Sequence, residues 1–247
     1  ELSGQIARLG LIARVGTVIL PDGKAAEGKL PADLAGLLNP GFNFPADTGK
    51  TPVFDASPAN NKLLEELQKS GVLKKEWYDG AAKTFNAPGG QISLDAENAT
   101  FRAVTPSCEA LILPAGKQLK GNFLSVNNRV GRGVFSAIAL DREALPDSKR
   151  VLLFHLTDTQ ASKTKYAGPA MKQLEAWGKV PFLAARGEAE VTLQTAPGGS
   201  YAIYTLDTAG RRTGEIPFTR IDARTIRFPA KVFGPHGTTL AYELVRR

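Results

Sequence analysis

The chain has 247 residues, with 31 lysines and arginines against 24 aspartates and glutamates, and is 43% hydrophobic and 8% aromatic. At about 100–200 residues per domain, this is one large domain or a domain with an appendage, long enough to bury a core without disulfides or metals as staples. The hydrophobic fraction excludes wholesale disorder, no apolar run reaches the roughly 18 residues that cross a bilayer, and the single cysteine, Cys108, excludes an intrachain disulfide or a cysteine-built zinc site.

The sequence begins at Glu1 without a methionine and shows no leader peptide, as either a processed protein or a fragment would. Ile6, Leu9 and Ile12 fall at helical spacing, followed by Gly16 and the β-branched run Thr17-Val18-Ile19. Prolines and glycines then crowd the stretch from Pro21 to Pro52, which predicts an irregular wrapping segment. Leu37, Leu38, Phe42, Phe44, Val53 and Phe54 give it something to bury. Ser57-Pro58 opens a predicted helix with an apolar stripe of Leu63, Leu64 and Leu67, and Gly71 stops it. A second short helix or turn from Val72 to Phe85 carries Trp77.

From Gln91 onward the period changes to two. Val191, Leu193 and Thr195 alternate with Glu190, Thr192 and Gln194; Ile226 pairs with Phe228, and Leu240 with Tyr242 and Leu244. Turn chemistry separates these runs at Pro114-Ala115-Gly116, Pro197-Gly198-Gly199, Ala209-Gly210 and His236-Gly237. The segments Gly133–Asp141 and Lys149–Asp158 are apolar on both faces, which places them centrally. One helix-like interruption is expected near Pro169–Trp177. The sum is an all-β fold: an antiparallel β-sandwich of about twelve strands over residues 91–247, preceded by a mixed, partly helical linker over residues 1–90.

Catalytic motifs are scarce. There is no phosphate-binding loop, no G-x-S-x-G elbow and no H-E-x-x-H; Gly131-Arg132-Gly133 opens a strand and reads as a tight turn. With only His155 and His236 available, transition-metal chemistry is short of ligands, and no metal or cofactor is expected. His155 shares a strand face with Val151 and Leu153, the position of a buried histidine, and His236 reads as a loop residue. Cys108, beside Glu109, reads as a small apolar packing group. Carboxylates that a glycosidase might pair are Asp95, Glu97, Glu109, Asp141, Glu143, Asp158 and Glu188, several of them at strand ends where surface acids are ordinary. The net charge of +7 is scattered, without a basic arm or aromatic interleaving, so no nucleic-acid partner is expected. Aromatics suited to stacking on a sugar ring are Trp77, Tyr166 and Trp177, read as lying outside the regular strands; Tyr78, next to Trp77, points elsewhere and shares no platform with it.

The succession Val104-Thr105-Pro106, the strand from Gly133 to Leu140-Asp141, Leu145-Pro146-Asp147-Ser148-Lys149-Arg150, Trp177-Gly178-Lys179-Val180-Pro181, Leu206-Asp207-Thr208-Ala209-Gly210-Arg211 and Leu240-Ala241-Tyr242-Glu243-Leu244 resembles the C-terminal β-sandwich region of large bacterial glycoside-hydrolase-like proteins. In them this region follows a (β/α)₈ catalytic barrel. The likeness covers residues 91–247 and departs from the family at Ser107, Cys108 and Glu109, where polar residues such as Arg and Gln are usual. It implies a secreted or periplasmic, non-catalytic accessory domain that supports an upstream catalytic domain or neighbouring subunit and contacts oligosaccharide. It brings no catalytic residue onto this chain, because the acid and base belong to the barrel. Two alternatives stay open: a self-sufficient glycosidase or lyase using carboxylates or His155, and an interaction module without sugar affinity.

Overall fold

The computed structural model describes residues 68–69, 74–87, 89–168, 173–234 and 237–247. The wrapping segment, His236 and all of the predicted helix from Ser57 except Gln68 and Lys69, which are helical, lie outside the described residues. The chain divides into two units, Glu1–Ala99 and Thr100–Arg247. In the first, a turn holds Trp77 where a short helix or turn was expected. An antiparallel meander follows of β1 (Tyr78–Asp79), β2 (Thr84–Asn86) and β3 (Ile92–Asp95).

The second unit continues as β4 (Thr100–Val104), β5 (Cys108–Leu113), β6 (Gln118–Lys120), β7 (Leu124–Val130), β8 (Gly133–Ala139) and β9 (Arg150–Leu156). Then come β10 (Thr159–Ser162), β11 (Lys165–Tyr166), β12 (Leu174–Ala176), β13 (Lys179–Ala184), β14 (Glu188–Gln194) and β15 (Tyr201–Leu206). The chain closes with β16 (Arg212–Ile216), β17 (Thr219–Arg220), β18 (Thr225–Lys231), β19 (Phe233–Gly234), β20 (Gly237–Thr238) and β21 (Ala241–Arg246). The fold is an all-β antiparallel sandwich, as expected. The described strands are more numerous than the twelve read from the sequence, because several are only two or three residues long.

One layer of the sandwich runs β4-β5-β8-β9-β21-β15-β16 and the other β17-β18-β14-β7-β6. The two doubly apolar runs are β8 and β9, neighbours inside the first layer. Alternation decides what each strand buries. β14 shows Ala189, Val191 and Leu193 to the core and Glu190, Thr192 and Gln194 outward. Leu111, Phe135, Val151, Ile203 and Leu244 of the first layer join Leu124, Val126, Leu193, Ile226 and Phe228 of the second in one buried cluster. At roughly 1.5–3 kcal/mol for each large side chain taken from water, this cluster is the main favourable term of the fold.

Polar side chains cross the apolar space at chosen points. Glu109 of β5, 1% exposed, accepts the backbone N–H groups of Asn122 and Phe123 on one carboxylate oxygen at 2.8 and 2.9 Å, and that of Leu124 on the other at 2.8 Å. Asn128 of β7 donates its amide to the carbonyls of Leu113 and Gly131 at 3.1 and 2.7 Å. The Tyr242 hydroxyl of β21 accepts from the Lys231 N–H and donates to its carbonyl at 2.9 and 2.8 Å. Gly121 packs directly on the Glu109 carboxylate, and a Cβ there would lie 2.2 Å from its Oε2.

The Leu-Asp motifs noted in the sequence build turns. Asp141 accepts the Ser148 hydroxyl and the Lys149 N–H, both at 2.7 Å, closing the β8–β9 connection. Asp207 accepts the N–H groups of Ala209 and Arg211, both at 2.9 Å, and the Arg211 Nε at 2.8 Å, closing the β15–β16 hairpin.

The Glu109 clamp generates a stability prediction. Glu109→Gln weakens three charge-assisted bonds and is expected to destabilise by about 1–3 kcal/mol; Gly121→Ala, which displaces the same carboxylate, is expected to destabilise by a comparable amount. Urea denaturation of both variants and the double mutant checks this: strongly sub-additive losses are expected, because one interaction is being removed twice.

Candidate functional site

Most of the described residues that could do acid–base chemistry are committed to the fold. His155 projects from β9 into the core, 1% exposed, with its ring stacked on Phe135 at 4.3 Å between centroids. Neither ring nitrogen has a hydrogen-bond partner, and burial pushes its pKa down to about 4. The cavity it borders, lined also by Phe135, Val191, Phe228 and Tyr242, measures about 10 Å³. That is at the lower limit for one water and leaves no room for a substrate.

Most of the carboxylates weighed as glycosidase pairs are likewise engaged. Asp95 accepts from the N–H and side-chain amide of Asn98, and Glu97 pairs with Lys83 at 2.8 Å. Glu109 and Asp141 bind backbone as described above. Glu188 is paired with Arg186 at 2.6 Å, and its hydrogen bond with that guanidinium holds the carboxyl below its usual range. Asp158 and Glu143 are exposed. Glu243, missed in the sequence, is the other buried acid among the described residues. Burial alone would raise its pKa, but the Arg212 guanidinium at 2.6 Å and that of Arg150 at 2.5 Å more than offset this and hold it low. The signal for it was an acid alternating with Tyr242 and Leu244 on a core strand. A groove of about 370 Å³ on the second layer is edged by Glu188 and Glu190, with Arg186 paired to the first and Arg129 and Arg227 to the second. Among the described residues no cluster of three histidine, cysteine or acidic side chains could hold a metal. Cys108 is buried, as its apolar reading required.

The stacking candidates separate. Trp77 belongs to the first unit, half-buried in its turn with the Lys74 ammonium 5.2 Å from the ring centre. Tyr166 and Trp177 lie together on a two-stranded arm of the second unit. Here β10 pairs with β13 and β11 with β12, in registers that run Thr159↔Ala184, Ser162↔Lys179, Lys165↔Ala176 and Tyr166↔Leu174. The expected helix-like interruption near Pro169–Trp177 is corrected: its described C-terminal part, Leu174–Ala176, is a strand of this arm. Tyr166, read as a loop residue, is likewise in a strand, β11, and is half-buried.

Trp177 sits where the arm bends between its two paired stretches and is 86% exposed. The bend is fixed by backbone. Thr164 donates its hydroxyl to the Ala161 carbonyl at 2.7 Å, and the same oxygen lies 3.2 Å from the carbonyl of Trp177. Gly178, at φ +75°, comes so close that a Cβ would meet the Ser162 carbonyl at 2.5 Å and the Thr164 hydroxyl at 2.6 Å, so only glycine follows Trp177 here. Beyond it every residue of β13 from Lys179 to Leu183 is exposed, including Val180 at 78% and Phe182 at 74%. Successive strand residues point to opposite faces, so neither face of this stretch is covered. At the root of the arm, Ala184, Ala185, Arg186, Val232, Phe233 and Thr238 line an open groove of about 410 Å³. No protein-family model, curated protein or solved structure matches the chain.

The buried histidine makes stability pH-dependent in a defined window. Its folded pKa is depressed, so the unfolded chain binds the proton more tightly, and stability rises with pH where the two states differ. The contribution is complete above pH 6.5, is lost as pH falls from 6.5 through about 4, and amounts to about 3 kcal/mol. His155→Leu is expected to flatten the denaturation midpoint between pH 6.5 and 4 relative to the wild type; an unchanged slope would show that the window belongs to other groups.

Proposed function

We propose that this chain is a non-catalytic accessory β-sandwich of a carbohydrate-active, glycoside-hydrolase-like bacterial protein, acting outside the cytoplasm beside an upstream catalytic domain or neighbouring subunit. The observation that carries the reading is the arm. It presents an open tryptophan on a backbone-locked bend, whereas the acids and the histidine best placed for chemistry are tied up inside the fold or in surface ion pairs. A flat aromatic ring carried on a fixed stretch of backbone and clear of its neighbours suits stacking on the apolar face of a sugar. Trp177 takes this role, with Tyr166 on the adjoining stretch of the arm; Trp77, half-buried in the other unit, is left as a packing residue. The uncovered Val180, Phe182 and Leu183 suit contact with the supported catalytic domain, since exposed large side chains in one place mark interaction surfaces.

Those same aliphatic side chains favour a second reading, an interaction module without sugar affinity, because they offer nothing to a glycan. A printed glycan array separates the two. Accessory glycan contact predicts retention of the wild type, loss of signal by about ten-fold or more in Trp177→Ala, and retention in the double variant Phe182→Ser, Leu183→Ser. Wild type and Trp177→Ala bound equally poorly to every glycan would leave the interaction module. Turnover of any glycoside by the chain alone would overturn the non-catalytic assignment itself.

A further inference from the structure

The bend that holds Trp177 is framed by lysines. Lys163 and Lys165 flank Thr164, whose hydroxyl braces the bend, and Lys179 follows Gly178 and pairs with Ser162 across the arm. All three are exposed, and none makes an ion pair with a described residue. Glu175 is the carboxylate of this stretch, exposed on β12 and equally without an ion-pair partner. The protons of the Ser162 and Thr164 hydroxyls are already used inside the arm, Ser162 donating to the Pro181 carbonyl at 2.7 Å and Thr164 to that of Ala161.

We infer that the Trp177 bend is a binding site for an anionic glycan, a polysaccharide bearing uronate carboxylates or sulfates. The inference rests on the proposed glycan contact and specifies its ligand. An ammonium has three donors and no acceptor, so Lys163, Lys165 and Lys179 offer the bend donors and positive charge alone. A neutral sugar hydroxyl needs acceptors as well as donors, whereas a carboxylate or sulfate brings only acceptors and matches the frame in both hydrogen bonding and charge. One open ring within a cluster of lysines also differs from the successive stacking platforms along a basic groove by which single-stranded nucleic acid is held.

The chain contains two tryptophans, so Trp77→Phe leaves Trp177 as the sole indole reporter. In that background, fluorescence titration is run with oligogalacturonate, with a neutral gluco-oligosaccharide of equal length, and with oligo(dT). Oligogalacturonate is expected to perturb the emission with an affinity that falls as salt rises. In the full chain, calorimetry is expected to show binding weakened by about ten-fold or more in Trp177→Ala and in Lys163→Gln, Lys165→Gln, Lys179→Gln. These positions are exposed, and circular dichroism verifies that each variant folds. Equal binding of the neutral oligosaccharide, unaffected by the lysine changes, would overturn the anionic assignment while leaving the glycan reading intact. Equal binding of oligo(dT) would reduce the bend to a general polyanion contact and overturn the inference. Failure of both oligosaccharides would overturn the inference and the glycan reading together.

Discussion

Glu109 leaves the first layer of the sandwich with its carboxylate directed at the turn before β7, and the three N–H groups it accepts belong to the β6–β7 hairpin of the second layer. A carboxyl group taken out of water without partners would be costly; here the turn supplies a fixed set of donors, and the turn itself has no other means of satisfying them. The result is a join between layers that has direction as well as strength. It sets where Phe123 and Leu124 enter the core, and from Leu124 onward the β7–β14 pairing puts Val126 against Val191 and Leu124 against Leu193. Apolar packing gives most of the stability, but it is tolerant of sliding. The clamp gives the register that packing alone leaves loose.

This division explains what could be read from the residues. Alternation announces β14, β18 and β21 because each has one wet face, and the doubly apolar β8 and β9 announce their central place. Glu109 is illegible for the opposite reason: an acid beside a cysteine at a strand start gives no hint of three backbone groups more than ten positions away. The arm is illegible on different grounds. From Leu174 to Leu183 its apolar residues follow no burial period, since neither face of β13 packs on anything, and a run of leucine, alanine and tryptophan without alternation looks more like a helix than a strand. Trp177 stood out by residue type alone. That it is open, and that Tyr166 shares its arm while Trp77 does not, depends on pairings set by the fold.

The titratable groups show a consistent allocation. Where an acid or histidine is buried, the surrounding structure either satisfies it, as arginines do for Glu243, or keeps it neutral, as the core does for His155. The arm's lysines and its tryptophan are the reverse: placed by well-bonded backbone, yet with side chains unengaged. Rigid support under open side chains is the arrangement that recognition favours over catalysis, because little order has to be imposed when a ligand arrives.

Pro181 gives the arm one further property. A free two-stranded ribbon offers two unpaired edges, and Val180, Phe182 and Leu183 make β13 the kind of short apolar segment that stacks into cross-β assemblies. Proline has no N–H to contribute to a neighbouring strand, and it interrupts that edge in the middle of the apolar run, with charged Lys179 at its start. The arm can therefore hold large apolar side chains in water without its outer strand becoming a template on which further copies add.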